Sequence, residues 1–264
     1  MDDHLQETAT ETRSVRVFDL WLILAANGLF ALFTNLLFLF DTIKPLKTAQ
    51  NLWTPLLLGI GVYGIQIGLI WYLVRRRFDR YWLIRPLVFK DWYWGIGIGL
   101  LVWIVANGVA ALRIPEAYLR LNSVRGFTRF TWIFLFNSVP GAIIEEYLFR
   151  YLPVRYAEHQ GLSRRRTILL FLTVLVYFTA THIPAYLWQY NISLLSLWSP
   201  FTMGAAFFFV YYATRNLPFT ALFHAFTNQS WMLFGSSNVK DYSFVIVVSI
   251  VWFFIRTSRV YSSS

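Results

Sequence analysis

Two adjacent carboxylates and one guanidinium lie inside an apolar segment in the middle of the chain. They are Glu145, Glu146 and Arg150, within the run Gly-Ala-Ile-Ile-Glu-Glu-Tyr-Leu-Phe-Arg at 141–150. A charged side chain at membrane depth costs about 2.5–3.5 kcal/mol even on lenient insertion scales. A chain that keeps three such groups so close together is predicted to use them in a functional site.

Helical geometry predicts different roles for the two carboxylates. Adjacent residues on a helix point about 100° apart, so Glu145 and Glu146 are expected to face different directions. Glu146 and Arg150 are spaced i, i+4 with the glutamate first, which is the favourable order for an ion pair. We therefore expect Glu146 and Arg150 to neutralise each other and shape the site. Glu145 has no local partner and follows Gly141 by one turn, where room is left for a ligand. This makes it the candidate general base.

Two of the four histidines, His182 and His224, lie in other apolar segments. Phe178 precedes His182 by four positions, so its ring can pack against the imidazole and restrict its rotamer. His224 and Asn228 are also four positions apart and direct two hydrogen-bonding groups to one place. A base and such side chains around a dry cavity are the parts that hydrolysis needs. One group activates water and the others stabilise an oxyanion.

The same side chains offer a metal-dependent alternative. Two histidines and a glutamate could equally ligate Zn²⁺, with water in the fourth position. The candidate ligands are Glu145, His182 and His224. The zincin pattern His-Glu-x-x-His is absent from the sequence, so such a site would be assembled from three separate spans. The residues leave the cofactor open between Zn²⁺ and no metal.

The composition places this constellation in a membrane. The 264 residues are 57% hydrophobic and 14% charged, with a mean hydropathy of +0.51, whereas average soluble chains carry about 25% charged residues. The net charge of +10 comes mainly from basic clusters between apolar segments. These clusters favour cytoplasmic loops against anionic lipid over nucleic acid as a partner. The predicted fold class is an all-α, polytopic membrane helical bundle with about eight transmembrane helices.

The apolar segments predict the spans and the organisation of the chain. The spans are roughly 18–40, 52–74, 92–112, from 130, 166–183, 200–214, 219–235 and 243–255. The expected divisions are a cytoplasmic tail (1–17), three spans with their connectors (18–128), a catalytic core (129–235), and the last span with a short tail (236–264). The basic loops predict a multi-pass protein with its N-terminus in the cytoplasm, in a bacterial inner membrane or an organelle membrane.

Two local features of these spans carry further predictions. Pro140 and Gly141 are expected to bend the fourth span. Four glycines in the second span are predicted to form a small-residue packing face instead of a nucleotide-binding turn, because no strand–turn–helix context surrounds them. These are Gly59, Gly61, Gly64 and Gly68.

Three motifs follow one another on successive apolar segments. They are Glu-Glu-x-x-x-Arg (145–150), Phe-x-x-x-His (178–182) and His-x-x-x-Asn (224–228). In this order they resemble the CPBP family, which comprises the type II CAAX prenyl endopeptidases and the bacterial bacteriocin-processing and self-immunity homologues. The resemblance covers about 130–235 of the chain. It implies an intramembrane protease.

The resemblance also implies a role for each motif. Glu145 and His182 would activate the attacking water. His224 and Asn228 would polarise the scissile carbonyl and hold the oxyanion. The family has been regarded both as metal-dependent and as glutamate-based without metal, so the resemblance leaves that choice open.

Three functional hypotheses follow. The preferred one is an intramembrane endopeptidase that acts on a membrane-associated protein or peptide. The alternative is a non-proteolytic membrane scaffold, or a maturation or immunity factor, built on the same helices, and it predicts that Glu145 is dispensable. A third is a proton-coupled transporter with Glu145 as its relay, because intramembrane acids commonly mark ion paths.

Overall fold

The computed structural model of the chain describes residues 16–43, 45–46, 51, 53–77, 89–113, 128, 131–189, 193–228 and 243–261. Within these ranges the regular structure is helical and no strand is present, which confirms the predicted all-α class. The main helices are α1 (Val17–Leu37), α2 (Trp53–Arg77), α3 (Phe89–Arg113), α4 (134–159), α5 (Arg164–Ala180), α6 (Trp198–Thr214), α7 (Leu217–Asn228) and α8 (Ser243–Tyr261). Two short turns, Ala185–Gln189 and Leu194–Leu197, connect α5 to α6.

Helix α4 changes its winding twice, and each change comes just before a proline. Phe134–Ser138 and Tyr147–Tyr151 are π-helical turns, each followed by an α-helical segment of 8 residues. Pro140 and Pro153 stand at the beginnings of these segments. A proline cannot donate the i→i−4 hydrogen bond, and its ring crowds the carbonyl at that position. The wider π turn accommodates this, so the helix continues through both prolines.

Four of the described helices are long and apolar enough to cross a membrane, namely Val17–Leu37, Leu56–Arg77, Trp92–Val109 and Arg164–Trp188. Helix α7 has 12 residues, and a helix of that length extends about 18 Å, less than the ~30 Å hydrocarbon core of a bilayer. The rest of the predicted span 219–235 lies outside the described residues, as does nearly all of the predicted tail 1–17. The chain is a multi-pass helical membrane protein, and the count of eight spans stays a prediction.

Small residues allow α4 and α7 to approach each other closely. Ala142 of α4 is buried in one cluster with Ala221 and Ala225 of α7. Short side chains let two helix backbones come together, which is the usual means of helix packing in membranes. His224 lies beside Ala225, and the two glutamates follow Ala142 by one turn. The close approach therefore directs the imidazole toward the carboxylates.

The N-terminal helices pack on this core. Helix α1 contacts α2 and α4, and the Tyr177 hydroxyl of α5 donates to the Leu24 carbonyl of α1 at 3.1 Å. A Cβ on Gly28 would collide with the same hydroxyl. This glycine is therefore required where α1 crosses α5.

The predicted glycine face of α2 is mostly wrong. At Gly59 an added Cβ would meet the Phe136 carbonyl of α4 at 2.7 Å, so this glycine does allow a close approach. At Gly61, Gly64 and Gly68 an added Cβ would meet nothing within 4 Å among the described residues. These three glycines point away from the other described helices, because the face that α2 packs on α1 and α4 carries larger side chains.

Candidate active site

Helices α4 and α7 place His224 between the two adjacent carboxylates. Its Nδ1 lies 2.7 Å from Oε1 of Glu146, and its Nε2 lies 3.7 Å from Oε2 of Glu145. His224 and Glu146 are buried, whereas the Glu145 side chain is 31% exposed. The i, i+4 spacing paired Glu146 with Arg150 alone. The contact between Glu146 and His224 comes from the tertiary fold.

The hydrogen bond to Glu146 fixes a proton on Nδ1 of His224. A carboxylate ion can only accept hydrogen bonds, so the Nδ1–H of His224 donates to Glu146. The other nitrogen, Nε2, then faces Glu145. Phe207 stacks on the imidazole with ring centroids 4.2 Å apart and planes at 21°. The ring is thus held from one edge and one face, which restricts its orientation.

Arg150 and Glu146 form the predicted ion pair. Nη1 of Arg150 lies 3.3 Å from Oε1 of Glu146, and the two side chains are 1% and 0% exposed. The guanidinium also donates from Nη2 to the Gly204 carbonyl at 3.3 Å. Burying one of these charges without the other would leave a strongly unfavourable group in the core. The pair therefore has a structural role, and Glu146 connects it to His224.

Two aromatic rings connect Arg150 to both histidines. Its guanidinium carbon lies 4.2 Å from the ring centroid of Phe178 and 5.5 Å from that of Phe207. Phe207 stacks on His224, and Phe178 packs edge-on against His182 with centroids 4.7 Å apart. The predicted packing of Phe178 on His182 is confirmed. Movement of this one cation would disturb the surroundings of both imidazoles.

His182 lies two residues beyond the last residue of α5. Its Nδ1 is 2.9 Å from the Phe178 carbonyl oxygen. Since a carbonyl oxygen only accepts, the Nδ1–H of His182 is the donor, and Nε2 of the neutral ring can accept a proton. The chain makes a turn at Thr181 and His182 and then continues helically through Pro184 into the π-helical turn Ala185–Gln189. The imidazole is thereby presented at the break in this helix.

Glu145 and His182 line one cavity of about 400 Å³. Its walls come from α1, α2, α4 and the end of α5. They combine apolar side chains with amides and hydroxyls from α1 and α2, among them Asn27, Phe30, Thr34, Asn35, Val62, Tyr63 and Gln66. The Glu145 side chain lines this space and is 31% exposed. A ligand in the cavity would therefore meet a carboxyl and an imidazole together.

Two predicted site residues lie away from this cavity wall. His224 is buried and reaches Glu145 from α7, and it is not among the described residues that line the cavity. Asn228 is the last residue of α7 and is exposed. The fold thus brings together Glu145, Glu146 and His224 in one contact, and Glu145 and His182 in one cavity. It leaves Asn228 at the helix end.

The predicted Zn²⁺ alternative involves Glu145, His182 and His224. Among the described residues no group of three His, Asp or Glu side chains that could hold a metal ion is found. The Nδ1 atoms of both histidines have partners, Glu146 for His224 and the Phe178 carbonyl for His182, so a metal could be bound only through their Nε2 atoms. The metal-dependent alternative stays a prediction.

Several residues of the site were not predicted from the sequence. Phe207 contacts both Arg150 and His224. The spacing of Ala221 and Ala225 around His224 was a usable signal, since small residues four apart mark helix contacts. Asn27 and Gln66 line the cavity from two different helices, and only the tertiary structure brings them together.

The fold and the site together describe a class of protein, namely a multi-pass helical membrane protein with a buried carboxylate–histidine contact. Residues 127–230 match the family model described as type II CAAX prenyl endopeptidase Rce1-like. The matched segment contains all three motifs, and the match confirms the resemblance predicted from them. No curated protein and no solved structure matches the chain.

Proposed function

We propose that this protein is an intramembrane endopeptidase that hydrolyses a peptide bond in a membrane-associated protein or peptide. The observation that carries the proposal is the position of Glu145. It lines the cavity with His182 and also faces Nε2 of His224 at 3.7 Å. The Rce1-like match supports the same reaction class. The matched description names prenylated CAAX substrates, and that substrate class is one candidate for this chain.

Glu145 is the general base in this proposal. Water in the cavity loses a proton to the Glu145 carboxylate, assisted by Nε2 of His182, while its oxygen forms a bond to the scissile carbonyl carbon. The carbon–nitrogen bond then breaks, and the proton held by Glu145 passes to the leaving amine. A positioned base of this kind contributes about 10²–10⁴ in rate.

His224 stabilises the oxyanion in this proposal, with Glu146 as its positioning residue. In this proposal the imidazole carries a proton on each nitrogen before and throughout the reaction, so that Nδ1–H donates to Glu146 while Nε2–H is available to the reacting carbonyl. A donor fixed before the reaction costs no reorganisation in the transition state. Asn228 is proposed to donate to the same oxygen from the end of α7.

The test compares the N-termini of membrane proteins in cells that carry the wild type, Glu145→Gln or Glu158→Gln at equal abundance. Glutamine keeps the size and polarity of glutamate and cannot take the proton. Glu158 is the matched control, because its side chain is 43% exposed, pairs with Arg155 and Arg215, and is not among the described residues that line the cavity. We expect new termini with the wild type and with Glu158→Gln that disappear with Glu145→Gln.

The scaffold hypothesis predicts a different result. If the protein acts only by holding a partner, the termini are identical in all three strains and any growth phenotype is rescued by Glu145→Gln. That result would overturn the protease proposal. Purified protein that cleaves the identified substrate, and a Glu145→Gln variant that binds the substrate without cleaving it, would establish the base role directly.

A further inference from the structure

Asn27 of α1 and Gln66 of α2 form a buried amide pair in the wall of the cavity. The Gln66 Nε2 donates to the Asn27 Oδ1 at 2.6 Å. The two residues are 4% and 9% exposed, and both line the cavity that contains Glu145. They lie outside the matched segment 127–230, so nothing in the three motifs accounts for them.

The pair leaves hydrogen-bonding groups of both residues unused, among them the Asn27 NH₂ and the Gln66 Oε1. A primary amide has an NH₂ group with two donors and a carbonyl oxygen that accepts. The single bond between the side chains uses the Asn27 oxygen and one hydrogen of Gln66. The described residues provide no further hydrogen bond to the Asn27 NH₂ or to the Gln66 Oε1. If both amide groups are rotated by 180°, Asn27 donates to Gln66 instead, and the unused groups are the Gln66 NH₂ and the Asn27 Oδ1.

Other polar groups on the same wall are satisfied by their own helix. The Thr34 hydroxyl donates to the Phe30 and Ala31 carbonyls at 2.9 and 3.0 Å, and the Asn35 amide donates to the Ala31 carbonyl at 2.7 Å. The amide pair differs because its partners lie on two helices and its remaining groups face the cavity. Neither the Asn27 NH₂ nor the Gln66 Oε1 is among the fully enclosed polar atoms that lack a hydrogen bond, so both groups are accessible. A ligand that supplies both partners would replace water there without leaving either group unpaired.

The chemistry of the remaining groups selects the ligand. A donor beside an acceptor matches the carbonyl and N–H of a peptide backbone, the pairing that an added strand makes. A phosphate would need donors or cations, and no Lys or Arg is among the described residues that line the cavity. An isoprenoid or acyl chain would satisfy neither group.

We propose that Asn27 and Gln66 form a backbone-binding subsite, which holds a peptide group of the substrate in the cavity beside Glu145. The inference rests on the proposed peptidase function and extends it, because it assigns substrate binding to α1 and α2 and the reaction to α4, α5 and α7. An extended backbone fixed at one peptide group presents its neighbouring peptide bonds in a defined register.

The test measures ligand protection of a cysteine in the cavity wall. The chain has no Cys, so Ala31→Cys introduces a single thiol. The full chain carries this change together with Glu145→Gln, which prevents cleavage, and is labelled in detergent with N-ethylmaleimide. The probe is acetyl-Leu-Leu-Leu-N-methylamide. Its matched analogues replace one amide N–H at a time by an ester oxygen, and farnesol represents the isoprenoid class.

We expect the tripeptide to slow labelling and one ester analogue to need an about five- to tenfold higher concentration for the same protection, the loss of one hydrogen bond. Gln66→Met, which keeps the length of the side chain, should remove the difference between amide and ester. The amide–ester comparison on the chain with native Gln66 needs no folded Gln66 variant. Equal protection by amide and ester probes, or protection by farnesol alone, would overturn the proposal.

This result can be separated from the fate of the peptidase function. Amide-specific protection together with unchanged N-termini in cells would retain the subsite and reject proteolysis. Glu145-dependent cleavage together with equal binding of amides and esters would retain proteolysis and reject the subsite.

Discussion

Removing only one charge of the Arg150–Glu146 pair should destabilise the folded protein far more, per charge removed, than removing both. At the observed 3.3 Å between nitrogen and oxygen, two unit charges interact by about 5 kcal/mol at an effective dielectric constant of 20. Measured losses on breaking a buried pair are about 3–5 kcal/mol, because one charge stays buried without its partner. We therefore expect Arg150→Met and Glu146→Gln each to lower the free energy of unfolding by about 3–5 kcal/mol.

The double variant Arg150→Met/Glu146→Gln tests the pairing itself. With neither charge present, no uncompensated ion is buried, and the loss should be well below the sum of the two single losses. The coupling energy should be at least about 2 kcal/mol. The assay is unfolding by SDS in mixed micelles, followed by the fluorescence of the 12 Trp.

A surface pair in the same helix provides the control. Arg155 and Glu158 are 2.9 Å apart, and their side chains are 23% and 43% exposed. Glu158 also lies 2.8 Å from Arg215, and this contact is present both in the wild type and in Arg155→Met. Exposed pairs contribute about 0–1 kcal/mol, so Arg155→Met and Glu158→Gln should add almost independently. If the buried pair also behaves additively, the argument that Arg150 and Glu146 stabilise each other at the site is refuted.

Three smaller perturbations test other contacts. In Gly204→Ala the new Cβ would lie 2.9 Å from the Phe178 ring, so we expect the free energy of unfolding to fall by about 1–3 kcal/mol and turnover to decrease. Gly64→Ala, with open space around it, should leave stability unchanged or slightly higher. Equal melting temperatures for the two variants would contradict this packing. Phe207→Leu removes the ring stacked on His224 and should lower kcat by about tenfold or more with little change in KM, and a change confined to KM would show that the ring contacts substrate instead. Treatment with 1,10-phenanthroline should leave peptide cleavage within about twofold, since the described ligands do not group around an ion, and inactivation reversed by added Zn²⁺ would contradict that geometry.

Local sequence rules predicted the parts of the site that lie on single helices. The pairing of Glu146 with Arg150 and the packing of Phe178 on His182 both follow from a spacing of four, and both are present. Such contacts depend only on the local helical turn that brings residues four apart together. The apolar segments had already predicted helices at these positions.

Contacts between helices were less accessible to these rules. Nothing in the spacing of Glu146 indicates that it would bond to His224, a residue 78 positions away. The glycines of α2 have the composition of a packing face, yet Gly59 alone among them has a close neighbour on another helix within the described residues. A glycine in an apolar helix is compatible both with a surface that packs on another helix and with a surface that faces lipid. The two cases differ only in whether a partner helix lies against the glycine, and the periodicity of one helix does not identify that partner.

The adjacency of the two glutamates explains how one short segment can serve structure and chemistry together. Glu146 is enclosed, pairs with a buried cation and orients His224, so its charge is held by fixed partners. Glu145 precedes it by one residue and lies about 100° away around the helix. Its carboxyl faces Nε2, the other ring nitrogen of His224, and it lines the cavity. A carboxylate that must change its protonation during a reaction needs a neighbour whose charge does not change. Placing the two side by side on one helix transmits the rigidity of the ion pair to the reactive group without closing the cavity around it.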